Sequence, residues 1–324
     1  MEALIEEYHV DSSSVSRFYD IPWSPETFDR IERLQNEWKE RLSSVDFAPL
    51  GQPDRVDYLL LRTKLNAELD HIAFQRGQLA EMVDLLPFRQ EILDLEKVRW
   101  KREPLDAQRA AAQLADLPDR VKHLREQIER GKKELDAEAK KAKEGAKPDA
   151  DGKDGSKDNA SSSKPEDHEK AAGEPGKEKN EPRPLTVTPV VANRAAQAAD
   201  SLREALEAWF SFYDGFTPEF AWWVRKPHEA ASKALQEYAK FLREEIAGLK
   251  GKDEDPLVGD PVQEAHLKRL LAAEMIAYSP QEILAIGERE LAWCEGEMKK
   301  AAREMGLGDD WKAALGKVKA SFAP

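Results

Sequence analysis

The chain has 324 residues, 40% of them hydrophobic, and a formal net charge of −13. That is enough apolar material to bury the core of one large helical domain or of two ordinary ones. The acidic excess repels phosphate backbones and anionic lipid, which counts against nucleic-acid and membrane partners and favours neutral or cationic ones.

A single cysteine, Cys294, excludes an internal disulfide framework and any cysteine-rich zinc module. The opening MEALIEEYHVDSSS carries acidic residues where a secretory signal carries Lys or Arg. No apolar run reaches the roughly 18 residues of a membrane span. A cytoplasmic location is expected.

Taken in chain order, the periodicity is helical. SPETFDRIERLQNEWKERL has Ser24 as N-cap and Pro25 at the first helical position, and it sets Phe28, Ile31, Gln35, Trp38 and Leu42 on one stripe. A long pattern follows from about Asp54 to Met82, then another from Phe88 to Trp100. After Pro118, residues Val121, Leu124, Ile128 and Leu135 step by threes and fours, with Gly131 weakening the middle. About two heptads are too few for a coiled coil, so a packed or fraying helix is expected.

Between Leu135 and Leu185 there is no Val, Ile, Leu, Met, Phe, Trp or Tyr. Such a segment has nothing to bury against its ordering entropy, and disorder is expected over 135–184. Beyond it, LTVTPVV is the one short candidate for a strand, and it contains Pro189. Pro227 reads as a first-turn residue, which starts a helix at His228 that continues through Leu235, Tyr238, Leu242 and Ile246. In SPQEILAIGERELAWCEGEMKKAAREMG, Ser279 and Glu282 form a capping box around Pro280. Leu284, Gly287, Leu291, Cys294, Met298, Ala301 and Met305 follow at strict spacing before Gly306 stops the helix. Cys294 on this stripe reads as a small buried residue beside Met298. The fold class is therefore all-α, a multi-helix array of long amphipathic helices interrupted by a disordered charged insertion. Its blocks are 1–134, the insert 135–184, and 185–324, the last packing on the first.

Three constellations bear on chemistry. His228 and Glu229 begin an HExxH-like stretch, but Ser232 stands where the second imidazole is needed for zinc, and Glu229 at a helix start is favoured by the macrodipole alone. Glu6 with His9 and Glu68 with His71 are Glu-x-x-His pairs of the kind found in helical di-iron proteins. With six histidines in a glutamate-rich chain, chance suffices to produce them. WFSFYDGFTPEFAWW, residues 209–223, holds eight aromatics that suit a helix–turn–helix core or a cleft wall. Trp222, Trp223 and Arg225 are the substrate-contact candidates. The chain shows no glycine-rich phosphate loop, nucleophile elbow or Cys-x-x-Cys.

DRVDYLLLRTKLNAEL, WWVRKPHEAASKALQEYAKFLREEI and VGDPVQEAHLKRLLAAEMIAYSPQEILAIGERELAWCEGEMKKAAREMG together resemble the N-terminal part of a protein of the domain of unknown function 885 family. Its members are largely helical and regarded as zinc-metallopeptidase-like. The resemblance implies peptide hydrolysis by a zinc-bound water with a glutamate as general base. It also implies a metal motif, a His-Glu followed by Pro-Gly-His-His, in a C-terminal half beyond these segments. No PGHH occurs in this sequence. His228 sits where the family usually has an aromatic. The expectation is an N-terminal helical portion, incomplete at its C-terminal end, with no catalytic residue, metal ligand or cofactor of its own. Zinc is expected only where that C-terminal half is present, with peptide as the substrate of the full-length protein. Alone the chain is expected to be silent. The alternative is a non-enzymatic helical scaffold that pairs through the 119–143 stripe.

Overall fold

The computed structural model describes residues 1–21, 23–145, 183–216 and 218–321, and among them every regular element is helical. In chain order these are α1 (Glu2–Phe18), α2 (Pro25–Ser43), α3 (Gln52–Met82), α4 (Arg89–Lys101), α5 (Ala107–Ala115) and α6 (Leu117–Gly145). They continue as α7 (Pro189–Tyr213), α8 (Pro218–Phe241), α9 (Glu264–Ala273), α10 (Pro280–Glu304) and α11 (Trp311–Ala320). The all-α expectation holds. None of these helices is long and apolar enough to cross a membrane.

The helices form two compact units, and each takes chain from both sides of the 135–184 segment. The first combines 1–20, 25–78 and the residues from Pro261 onward. The stripe of α2 explains its core: Leu34, Trp38 and Leu42 pack with Tyr8 and Val15 of α1 and with Leu61 and Leu65 of α3. Each such side chain contributes roughly 1.5–3 kcal/mol on full burial. Gln35, the polar member of the stripe, is buried and accepts a hydrogen bond from the Tyr8 hydroxyl at 3.2 Å, so it leaves no polar atom stranded there. Trp38 Nε1 donates to Asp11 at 3.2 Å.

The second unit comprises 21–24 and the described residues from Leu79 to Asp260. Its centre is the α7–α8 pair. Ala192, Ala195, Ala196, Ala198 and Ala199 are fully buried on α7, and side chains that small let neighbouring helices approach closely. Leu202, Leu206 and Trp209 extend that face, while α8 answers with Phe220, Val224, Ala231, Leu235 and Tyr238. Helix α5 also packs on α8, and α4 packs on α7. Tyr238 is fully buried, and its hydroxyl donates to the Leu85 carbonyl at 2.9 Å; burial raises its pKa far above the ordinary value. Val121, Leu124 and Ile128 of α6 are buried within this unit, whereas Leu135, the last residue of that stripe, is 43% exposed.

Several expectations are corrected. LTVTPVV is not a strand: Thr188 caps α7, its hydroxyl accepting from the Val191 N–H at 3.4 Å, and Pro189 occupies the first turn. Proline lacks the ladder donor a strand needs, and its fixed φ suits a helix start. Pro227 does not begin a helix, because α8 starts at Pro218 and runs through it. Its continuous buried face outweighs the ~3 kcal/mol cost of an interior proline. Residues 135–145 are helical, since the DAEAKKAKEG sequence is rich in good helix formers that need no burial. The rest of the expected disordered stretch, 146–182, lies outside the described residues.

Cys294 is exposed, not buried. So is most of its stripe, with Leu284 at 64%, Leu291 at 62% and Met298 at 42% exposure; Ala302 is the buried residue of α10. Periodicity reports that a face is apolar, not that this chain covers it. The capping box at Ser279 and Glu282 forms as read, and Gly306 ends the helix at φ +74°.

Candidate functional site

The aromatic corner lies in the second unit, where α7 ends at Tyr213 and α8 begins at Pro218. Its rings divide into two sets. Trp209 and Phe220 are buried and meet edge-on, centroids 5.5 Å apart; Tyr213 packs against both, at 5.7 and 5.3 Å. This half is core, as the composition suggests. Phe212 (50%), Phe216 (80%), Trp222 (81%) and Trp223 (40%) face solvent. Large aromatics exposed at one corner leave an apolar surface that this chain does not cover.

A cleft of about 400 Å³ opens at the same corner, lined by Leu105, Asp106, Ala107 and Gln108 from the start of α5 and by Tyr213, Glu219 and Phe220. Two carboxylates and two rings give it an acidic rim and an apolar wall, a surface complementary to a cationic or amphipathic group. Asp106 is also the N-cap of α5, accepting from the Arg109 N–H at 3.0 Å, so packing and capping hold it in place. Burial pushes the Tyr213 hydroxyl above its ordinary pKa, aided by the negative charge of the buried Glu96. Glu96 pairs with Arg99 at 2.5 Å, and Arg99 lies 5.7 Å over the Phe212 ring.

Of the sequence candidates, Trp222 and Trp223 stand on the exposed surface of α8 and do not line the cleft. Arg225 donates to Asp214 at 3.0 Å and sits 5.9 Å over the Phe210 ring, tying α8 back to the turn. His228 is buried. It stacks on Phe210 at 4.1 Å, and its Nε2 lies 3.5 Å from Glu207 of α7, at ion-pair range but without a hydrogen bond. Ser232 donates to the other Glu207 oxygen at 2.5 Å. Burial holds the His228 pKa below its ordinary value, against the opposing charges of Glu207, Glu229 and Asp214. His228 and Ser232, one turn apart, thus converge on a carboxylate from the neighbouring helix, and the His-Glu sequence is part of the α7–α8 interface.

Glu6 and His9 lie on α1, and Glu68 and His71 on α3; Glu68 accepts from Lys64 at 3.2 Å. Among the described residues no group of three or more His, Cys, Asp or Glu is arranged to hold a metal ion, and neither Glu-x-x-His pair belongs to such a group. Sequence reasoning missed Glu207, Asp106 and Glu219, which come together only through helix packing. It also missed Arg194, which is buried and donates to Glu81 at 2.6 Å and to Asp260 at 2.5 Å. A signal existed there: one arginine among the alanines of ANRAAQAA.

Compared with known proteins, the chain matches the model of a family described as "Bacterial protein of unknown function (DUF885)" over residues 16–323. No curated protein and no solved structure matches it.

Proposed function

The chain belongs to the DUF885 family, and from that premise we propose that it is the helical, peptide-contacting portion of a metallopeptidase-like hydrolase, supplying a wall of the substrate cleft and none of the metal ligands. The observation that carries this reading is the solvent-facing aromatic surface of the α7–α8 corner, with Trp222 at 81% exposure, beside a cleft rimmed by Asp106 and Glu219. Aromatics bind extended peptide with little loss of side-chain entropy, and the carboxylates favour peptides that carry a Lys, an Arg or a free amino terminus. The missing Pro-Gly-His-His motif supports the second half of the proposal.

The test has two arms. The purified chain is titrated with unstructured Lys-containing peptides and followed by tryptophan fluorescence. Changing Trp222 and Trp223 together to Ala is expected to weaken binding about tenfold, the usual effect of losing an aromatic anchor. Unchanged affinity would remove the peptide-contact role. The second arm incubates the same peptides with the chain and zinc, with and without chelator. No hydrolysis is expected, and chelator-sensitive cleavage would show that the chain does assemble a metal site.

A further inference from the structure

Leu284, Leu291 and Met298 are spaced seven apart along α10, and Gly287, Cys294 and Ala301 each follow three residues later. This is an a/d heptad seam over about 26 Å of helix, with large side chains at a and small ones at d. Instead of being buried, the seam lies open to solvent. Small d residues leave holes that a partner's large side chains fill. The residues flanking the seam at e and g are Ile283, Glu288, Glu290, Glu295, Glu297, Ala302 and Glu304; Ala302, at the C-terminal end of the seam, is covered by this chain itself, while five are glutamates and none is basic. Three have basic neighbours on α10 itself: Arg289 to Glu290 at 3.6 Å, Lys299 to Glu295 at 3.8 Å and Lys300 to Glu297 at 3.7 Å. Those bases stand on the outer side of the helix, and exposed pairs of this kind are weak.

We propose that the α10 seam receives one amphipathic helix whose apolar stripe is bordered by Lys or Arg. Packing alone would also allow a second copy of this chain. In an antiparallel pair Leu284, Leu291 and Met298 would fall opposite Ala301, Cys294 and Gly287, large against small. Charge decides against it: in either orientation glutamate meets glutamate on both borders, between chains of net charge −13. A basic-bordered helix converts each repulsion into attraction.

Cys294 is the sole cysteine, so its alkylation rate reports on the seam without ambiguity. Two synthetic four-heptad peptides with identical Leu/Ile seams are compared, one bordered by Lys and one by Glu. The Lys peptide is expected to slow maleimide labelling of Cys294 at least tenfold, and the Glu peptide to leave it unchanged. Leu291→Glu, at an already exposed position, is expected to abolish protection while leaving the circular dichroism spectrum intact. Reversing Glu288, Glu290, Glu295 and Glu297 to Lys is expected to switch preference to the Glu peptide. Equal protection by both peptides, protection by neither, or self-protection of Cys294 in a dimer of the chain alone would each overturn the proposal.

Discussion

At the residue scale His228 shows how a catalytic-looking pair is explained by burial. Its neighbours are the Phe210 ring and Glu207, whose carboxylate accepts a hydrogen bond from the Ser232 hydroxyl, and burial lowers its pKa from 6.5. A histidine whose folded pKa is depressed is protonated more readily in the unfolded chain. Its contribution to stability is therefore present above about pH 6.5 and declines as pH falls through that value. His228→Phe keeps the stack on Phe210 and removes the titration. In urea unfolding, the stability of this variant relative to the original chain is expected to improve steadily from pH 7.5 to 5. A gap that moves the other way would mean that the Glu207 carboxylate outweighs burial. None of this was legible from the sequence beyond the missing second histidine, because Glu207 reaches His228 only once α7 lies against α8.

At the element scale, helices with strong local signals were legible and those defined by packing were not. Helix α2 begins directly after Ser24, and α10 shows its capping box, because both signals are encoded within a few residues. Helices α5, α9 and α11 are short, α1 lacks a clean stripe and buries only Tyr8 and Val15, and α7 carries its buried face largely on alanines behind a start that reads as a strand, so none of the five is announced locally. Gly131 looked like a weak point in α6, and the structure gives it a use. The 183–188 segment crosses the helix there, with the Leu185 N–H bonded to the Gln127 carbonyl at 3.0 Å. A Cβ on residue 131 would stand 2.2 Å from the Leu185 oxygen. Gly131→Ala ought to gain up to about 1 kcal/mol of helix propensity. The backbone collision is expected to dominate, giving a net loss of about 1–3 kcal/mol in urea unfolding. A neutral or stabilising result would mean that the segment is free to lift away.

At the scale of the whole molecule, the two units are discontinuous in sequence, and no composition break announces them. The visible break at 135–184 marks a change in hydrophobicity, whereas a unit is defined by contacts between distant stretches. Arg194 illustrates what holds such an arrangement. It joins Glu81, 113 residues upstream, to Asp260, 66 residues downstream. Burial opposes its charge, yet the hydrogen bonds and Coulomb attraction of the two carboxylates hold its pKa above the ordinary value. Both carboxylates keep access to water, at 57% and 48% side-chain exposure, so removing the arginine strands neither of them. Arg194→Met, which roughly preserves apolar bulk against the alanines, is therefore expected to cost about 2 kcal/mol, below the 3–5 kcal/mol seen when a fully buried pair is broken. If the triad is the cause, the same substitution made in an Asp260→Asn background should cost clearly less. Equal losses in both backgrounds would assign the effect to packing of the arginine stem, and the ion pairs would then be incidental to how the three stretches are held together.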